Sequence, residues 1–168
     1  LGVCGTSGGG KSVLMQAIIR QILDSGGRAW VFDMGDSYKT LCANVGGVYV
    51  DATDLKFNPF AGIVDIIESA ESIRDLLLVL SRPSGGVDDT TKSILLNAVQ
   101  SVWAEKGKNA LIDDVVALLT RWITSEQYRD AVTVRNRMEE IVVSLQKYTT
   151  GGIYGEYFNS PEPALDDT

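Results

Sequence analysis

The feature that most constrains this chain is a glycine-rich stretch near its start, which reads GTSGGGKS. It fits the pattern G-x-x-x-x-G-K-[ST] at every required position. Glycines allow positive φ angles and carry no Cβ, so successive backbone N–H groups can converge on a polyphosphate. The lysine of this pattern brings a compact positive charge to the β- and γ-phosphates of ATP, and the serine hydroxyl ligates Mg²⁺. The predicted ATP-binding residues are Gly5, Thr6, Ser7, Gly8, Gly9, Gly10, Lys11 and Ser12, with Lys11 also catalytic and Ser12 also a metal ligand.

The sequence on either side of the stretch decides whether it is more than a glycine-rich turn before a helix. Apolar residues recur at helical spacing after Lys11, and Gly26-Gly27 provides a stop. Before the stretch, Leu1 to Cys4 are typical of the end of a buried strand. Strand, loop and helix are the arrangement that the motif requires, so the sequence predicts nucleotide binding.

A second candidate site residue is Asp33, which ends the apolar run from Arg28. The run predicts a buried parallel strand, and with the preceding strand and helix it makes a right-handed βαβ unit. Asp33 would then lie at the edge of the sheet where α/β proteins bind ligands. The run is similar to a Walker B strand, whose Asp holds Mg²⁺, which would make Asp33 a catalytic and metal-binding residue. However, Met34 and not an acid follows, and Asp33 is equally suited to cap the next segment, so both roles remain open.

The remaining sequence predicts a change from an α/β core to helices. A short helix after Gly35 and a strand at Val48–Val50 complete the first part. An extended connection containing Asn58-Pro59-Phe60 follows, with no role evident from its chemistry. Four helices are then expected between about residue 63 and about residue 148, the second capped by Asp88 or Asp89. On the last helix the charges of Arg135, Arg137 and Lys147, offset by Glu139 and Glu140, are expected to form a solvated face. The predicted fold is therefore an α/β P-loop NTPase with a partial parallel sheet and an inserted all-α subdomain. We expect residues 1–61 to be the N-terminal part of the ATPase core, 62–148 the insert and 149–168 a connection returning to the core.

Composition narrows the possible partners and sites. The 168 residues include no histidine and two cysteines without CxxC spacing, which argues against a zinc site. A net charge of -7 would repel nucleic acid and anionic membrane, so we expect no direct nucleic-acid grip from this segment. No basic, apolar leader is present, so nothing in the sequence suggests secretion. The chain opens without Met and has no structural ending, so we interpret it as a fragment of a longer protein.

Four segments together resemble one family over essentially the whole chain: GTSGGGKS, VFDMGDSYKTLCANVGGVYVD, LKFNPFA and YTTGGIYGEYFNS. The chain is similar to TraC-type ATPases of F-type conjugative type IV secretion systems, within the VirB-type secretion ATPase family. The resemblance implies a RecA-like motor domain that hydrolyses ATP to power pilus assembly and the transfer of DNA or protein. It also implies a homo-hexamer in the cytoplasm, peripheral on the inner membrane and bound to other proteins of the secretion machine.

Position by position, the resemblance places the Walker A motif at Gly5 to Ser12 and matches Asp33 to the acid of the VFD strand. The Asp-Glu pair of the family's later Walker B strand has no counterpart in this chain, nor do its sensor and arginine residues. That difference favours Asp33 as a supporting acid near the metal. It also predicts that the full-length protein is an ATPase while the fragment alone is inactive.

Three other functions remain possible at this point. A DNA-translocating motor of the coupling-protein or FtsK kind would share the loop and the core, although the net charge of -7 counts against it. A small-molecule P-loop kinase would use the helical part as a lid, but no arginine-rich lid pattern is present. A nucleotide-gated assembly module would bind ATP only to change conformation.

Overall fold

A computed structural model of the chain describes residues 4, 6, 8–51, 56–81 and 87–159. By its contacts the chain divides into two compact units, residues 1–53 and residues 54–168, called here the N-terminal unit and the helical unit. The predicted limits of the ATPase core and its insert stay a prediction.

The N-terminal unit contains two helices that the sequence predicted. Helix α1 (Lys11–Asp24) begins directly after the glycine-rich stretch, and α2 (Lys39–Asn44) follows a short loop. Each helix ends at a Gly-Gly pair whose first glycine has a positive φ, 78° at Gly26 and 69° at Gly46. Both helix ends are thus left-handed turns that only glycine adopts without strain.

The predicted sheet is not confirmed by the described residues. Residues 28–33 and 48–50 form no regular secondary structure, and the first predicted strand lies outside the described residues except for Cys4. The side chains of Trp30 and Phe32 are 64% and 100% exposed. A parallel strand is stable only when neighbours satisfy its backbone and cover its faces, and the described residues supply neither.

The helical unit is built from four long helices around one apolar core. They are α3 (Ile66–Ser81), α4 (Asp89–Lys106), α5 (Ile112–Ile123) and α6 (Val132–Leu145). Helix α3 packs on α4 and α6, and α5 also packs on α4 and α6. Short 3₁₀ turns follow at Gly107–Asn109, Glu126–Tyr128 and Gln146–Tyr148. The four predicted helices are confirmed, while the predicted break at Arg82–Gly86 lies outside the described residues.

Asp88, the residue before α4, binds the first turn of that helix. Asp88 Oδ1 accepts hydrogen bonds from the backbone N–H and the hydroxyl of Thr91, at 2.7 and 2.6 Å. These two bonds hold the pKa of Asp88 below its ordinary value of 3.8. The other carboxylate oxygen lies 3.6 Å from Arg137, which also pairs with Glu140 at 3.0 Å. The pair with Glu140 agrees with the predicted offset of charge, but the Arg137 side chain is only 20% exposed, so the prediction that it lies on a solvated face was wrong.

The connection before α3 and the segment after α6 meet at one edge of the helical unit. The Phe57 N–H donates to the Tyr157 carbonyl at 2.7 Å, and the rings of Phe57 and Phe158 meet edge to face at 6.1 Å. Residues 155–158 form the short helix α7 (Gly155–Phe158), where the sequence predicted a loop or extended segment. A Cβ at Gly155 would overlap the carbonyl oxygen of Thr149, so close packing requires glycine there. The chain therefore enters and leaves the described helices at adjacent points.

Asn58-Pro59-Phe60 has a structural role that the sequence did not reveal. Phe60 is fully buried in the core, and Asn58 is 2% exposed. The Asn58 side chain donates to the Ala110 carbonyl at 3.0 Å and accepts from the Phe60 N–H at 3.0 Å. The motif thus fixes the connection to the turn between α4 and α5.

Among the helices of the described residues, none combines the length and apolar character needed to cross a membrane.

Candidate nucleotide-binding site

The glycine-rich loop folds into a turn that leads directly into α1. Gly8 and Gly10 have φ angles of 78° and 76°. The Gly9 N–H donates to the Thr6 carbonyl at 3.1 Å, and a Cβ at Gly9 would lie 3.0 Å from that oxygen. Larger side chains would therefore strain the loop at Gly8 and Gly10 and crowd it at Gly9. Gly5 and Ser7 lie outside the described residues.

Lys11 is the first residue of α1, and its side chain turns back over the loop. Its ammonium group donates to the Thr6 carbonyl oxygen at 2.6 Å. The positive end of the α1 dipole lies at the same place, because the first N–H groups of a helix have no acceptors within the helix. A lysine charge and a helix N-terminus beside a glycine loop together favour a phosphate-bearing ligand.

The structure places Ser12 in the exposed first turn of α1 and leaves Asp33 half-buried in the loop before α2. Asp33 Oδ2 accepts the backbone N–H of Tyr38, the residue that precedes α2, at 2.9 Å. This bond joins Asp33 to the residue before α2 and not to the first turn of the helix, so the capping and metal-binding roles both stay predictions. Within the described part of the chain, no hydrogen bond joins Asp33 to Ser12.

Two contacts that the sequence did not predict fix the loop that carries Asp33. The Gln16 side chain of α1 donates to the Ser37 carbonyl at 2.9 Å, which holds this loop against α1. The Tyr49 hydroxyl donates to Asp36 Oδ1 at 2.6 Å. This bond to a carboxylate raises the pKa of Tyr49 from 10.0 to about 12, because the phenolate form would lose the bond and be repelled by Asp36. The sequence indicates only that polar residues lie near both ends of this loop. Which of them form hydrogen bonds with one another is decided by the tertiary structure.

The residues present fit a nucleotide polyphosphate with Mg²⁺. The glycine loop, Lys11 and the start of α1 would hold the phosphates, and Ser12 would supply a hydroxyl ligand to the metal. No group of three or more His, Cys, Asp or Glu side chains suited to a metal occurs in the described ranges. A magnesium ion carried on phosphates does not need one, because Mg²⁺ binds through one or two protein oxygens, phosphates and water.

Comparisons with known proteins identify related sequences. A family model described as the TraG P-loop domain matches residues 2–166. The chain is 53% identical to Protein TraC of Escherichia coli (strain K12) over 167 residues, which is 99% of this chain and 19% of that protein. The chain therefore spans about a fifth of the length of this relative. No solved structure gave a significant match. Because the family model covers nearly the whole chain, including the loop that leads into α1, the chain belongs to the family of TraG P-loop domains.

Proposed function

We propose that the protein containing this chain is an ATP-hydrolysing motor of conjugative type IV secretion, which powers pilus assembly and the transfer of DNA or protein. The observation that carries the proposal is the loop itself, with positive φ at Gly8 and Gly10 and the Lys11 ammonium over the loop backbone. The 53% identity to Protein TraC over 99% of the chain supports the assignment to conjugation. Hydrolysis, pilus assembly and substrate transfer belong to the whole protein, of which a chain of this length is a small part.

In the proposed reaction, this chain binds and orients ATP. Backbone N–H groups of the loop and the charge of Lys11 neutralise the β- and γ-phosphates, which lowers the barrier to transfer of the terminal phosphate to water. Mg²⁺, when bound, would neutralise further phosphate charge, with Ser12 as its ligand in this chain. The groups that orient the attacking water are proposed to come from other parts of the protein, and an arginine from a neighbouring subunit of a homo-hexamer.

We further propose that residues 28–33 and 48–50 join a parallel sheet completed by other parts of the longer protein. The exposed aromatic side chains of Trp30 and Phe32 support this proposal, since large apolar side chains are rarely left in water together. In such a sheet Asp33 would lie beside the phosphate loop as a supporting acid. The intact protein is proposed to work in the cytoplasm at the inner membrane with other secretion proteins.

The test of Asp33 uses a substitution that separates its two roles. The side-chain amide introduced by Asp33→Asn still accepts the Tyr38 N–H through its oxygen, but it has no charge for a metal. If Asp33 supports Mg²⁺, the intact variant should lose about 10- to 100-fold in ATP turnover and need more Mg²⁺. Asp24→Asn, an exposed change in the last turn of α1, is the matched control. Unchanged turnover in Asp33→Asn would limit Asp33 to capping.

A second measurement separates the proposed motor from the alternative functions. Steady-state phosphate release by the intact protein, with and without duplex DNA, should show turnover that duplex does not require. Turnover that appears only with duplex would favour the DNA-translocating motor. Tight ATP binding with no turnover in the assembled machine would favour the assembly module, and phosphate transfer to a small molecule would favour the kinase.

A further inference from the structure

One peptide group of the N-terminal unit is bound at both of its ends. The carbonyl of Ser37 accepts a hydrogen bond from the Gln16 side-chain amide at 2.9 Å. The N–H of Tyr38, which belongs to the same planar peptide group, donates to Asp33 Oδ2 at 2.9 Å. The oxygen and nitrogen of a peptide group are about 2 Å apart, so the Gln16 amide nitrogen and the Asp33 oxygen lie within about 8 Å of each other. A single peptide group therefore links Gln16 to Asp33.

Gln16 lies on α1, one turn after Ser12. Residues four positions apart lie on the same face of a helix, with about 5–6 Å between their Cβ atoms. The hydroxyl of Ser12 is the proposed magnesium ligand of this chain. The loop that carries Asp33 is thus tied to the face of α1 that also carries Ser12.

The backbone of this loop needs support from outside. Asp36 has a φ angle of 58°, which few residues other than glycine adopt without strain. Two side chains from other segments hold the loop, namely Gln16 from α1 and Tyr49, whose hydroxyl donates to Asp36 Oδ1 at 2.6 Å. The two supports differ, because the Gln16 bond acts on the peptide group that also binds Asp33.

We infer that Gln16 is a positioning residue of the nucleotide site, which fixes the Asp33 carboxylate relative to Ser12 through the Ser37–Tyr38 peptide group. The inference rests on the proposed function, in which Asp33 is a supporting acid near Mg²⁺. Residues that orient the groups around a metal without touching it commonly change its affinity about 10- to 100-fold when they are replaced. Gln16 has this indirect role, and it contacts neither ATP nor the metal.

Gln16→Met removes the hydrogen-bond donor and keeps the size of the side chain. Methionine has a similar length and helix propensity but no N–H. Ser37 is exposed, so water can bind its carbonyl in the variant and the unit should still fold. Gln21→Met, an exposed change on the same helix, is the matched control.

The first measurement needs no nucleotide. Hydrogen–deuterium exchange of the intact protein, followed by mass spectrometry on the peptide that contains residues 33–38, reports how firmly the loop is held. Exchange in this peptide should be about tenfold faster in Gln16→Met than in the wild type or in Gln21→Met. Equal exchange in the three proteins would show that Gln16 does not hold the loop.

The second measurement is the Mg²⁺ dependence of ATP turnover by the intact protein. In Gln16→Met the Mg²⁺ concentration for half-maximal turnover should rise about tenfold, while the KM for ATP at saturating Mg²⁺ should not change. Addition of Gln16→Met to Asp33→Asn should have no further effect on the Mg²⁺ requirement, because the charge to be positioned is then absent. Tyr49→Phe removes the other support of the loop and should leave the Mg²⁺ requirement unchanged.

Several outcomes would overturn the inference. An unchanged Mg²⁺ requirement in Gln16→Met would do so, as would additive effects of Gln16→Met and Asp33→Asn. An equal effect of Tyr49→Phe would indicate a general loosening of the loop instead. A normal Mg²⁺ requirement in Asp33→Asn would also contradict it, since no acid would then need to be positioned. The proposed ATP hydrolysis is tested separately, by the dependence of turnover on Lys11.

Discussion

Replacement of Asn58 by alanine should destabilise the helical unit by about 2–6 kcal/mol. The side chain is buried and joins two backbone groups, the Phe60 N–H and the Ala110 carbonyl, each at 3.0 Å. Phe60 and Ala110 are both fully buried, so water cannot replace the lost partner without a structural change. Each unsatisfied buried group costs about 1–3 kcal/mol, and the loss is large beside a typical domain stability of about 5–15 kcal/mol.

The measurement is urea unfolding of the chain followed by far-ultraviolet circular dichroism, with the slope compared between variants to confirm the same transition. Asn136→Ala is the matched control, because it removes the same side-chain amide from the exposed face of α6. It should be neutral or slightly stabilising, since alanine has the higher helix propensity.

A second variant, Asn58→Asp, tests the same contacts separately. Aspartate still accepts from the Phe60 N–H but cannot donate to the Ala110 carbonyl, and it introduces a buried charge. It should be destabilised at neutral pH and should recover in part when acid protonates the carboxylate. Asn58→Ala within about 0.5 kcal/mol of the wild type would refute the role assigned to this side chain.

Three further predictions concern the helix cap, the surface charge and the fragment. The hydrogen bonds from Thr91 favour the charged form of Asp88 and lower its pKa in the folded protein. Asp88 therefore stabilises the fold fully above the ordinary pKa of an aspartate, and this stabilisation is lost as the pH falls through the lowered pKa of the folded state. The stability difference between the wild type and Asp88→Asn should therefore be largest near about pH 6 and vanish in strong acid, and a constant difference in urea titrations would contradict this. The isolated helical unit should not bind duplex DNA at moderate salt, because its carboxylates repel phosphates, and binding with a steep salt slope would overturn that expectation. Residues 1–168 alone should release phosphate from ATP near the background rate, with Lys11→Ala as the blank, and clear Lys11-dependent turnover would make Asp33 the working acid.

The helices and the glycine-rich loop could be predicted from the sequence because each is indicated by residues that are close together in the chain. The bounds of α5 at Ile112–Ile123 follow from an amphipathic run between two polar turns. The cap at Asp88 follows from an acidic residue before an apolar run. The phosphate loop follows from glycines that the turn itself requires, as the φ angles of Gly8 and Gly10 show.

The features that could not be predicted depend on residues far apart in the chain. Asn58 bonds with Ala110, 52 positions away, and the Asp113 carboxylate accepts the Thr150 N–H at 3.0 Å across 37 positions. No local pattern indicates such pairs. The predicted sheet depends on the same kind of long-range pairing, and no partner strand for residues 28–33 lies in the described ranges. The role of Asp33 could not be assigned from the sequence either, because a carboxylate at this position is suited both to capping and to metal binding.

The most direct test of the account is the contribution of Lys11 to nucleotide binding and hydrolysis by the intact protein. Equilibrium binding of ATP with Mg²⁺, together with phosphate release, would be compared among the wild type, Lys11→Ala and the control Lys108→Ala, an exposed lysine in the turn after α4. Loss of one charge-assisted contact to a phosphate costs about 2–5 kcal/mol by analogy with buried charge pairs. Lys11→Ala should therefore bind ATP about 30-fold or more weakly and should lose turnover, while Lys108→Ala should match the wild type. Wild-type affinity and turnover in a folded Lys11→Ala protein would show that this loop does not hold the phosphates of ATP.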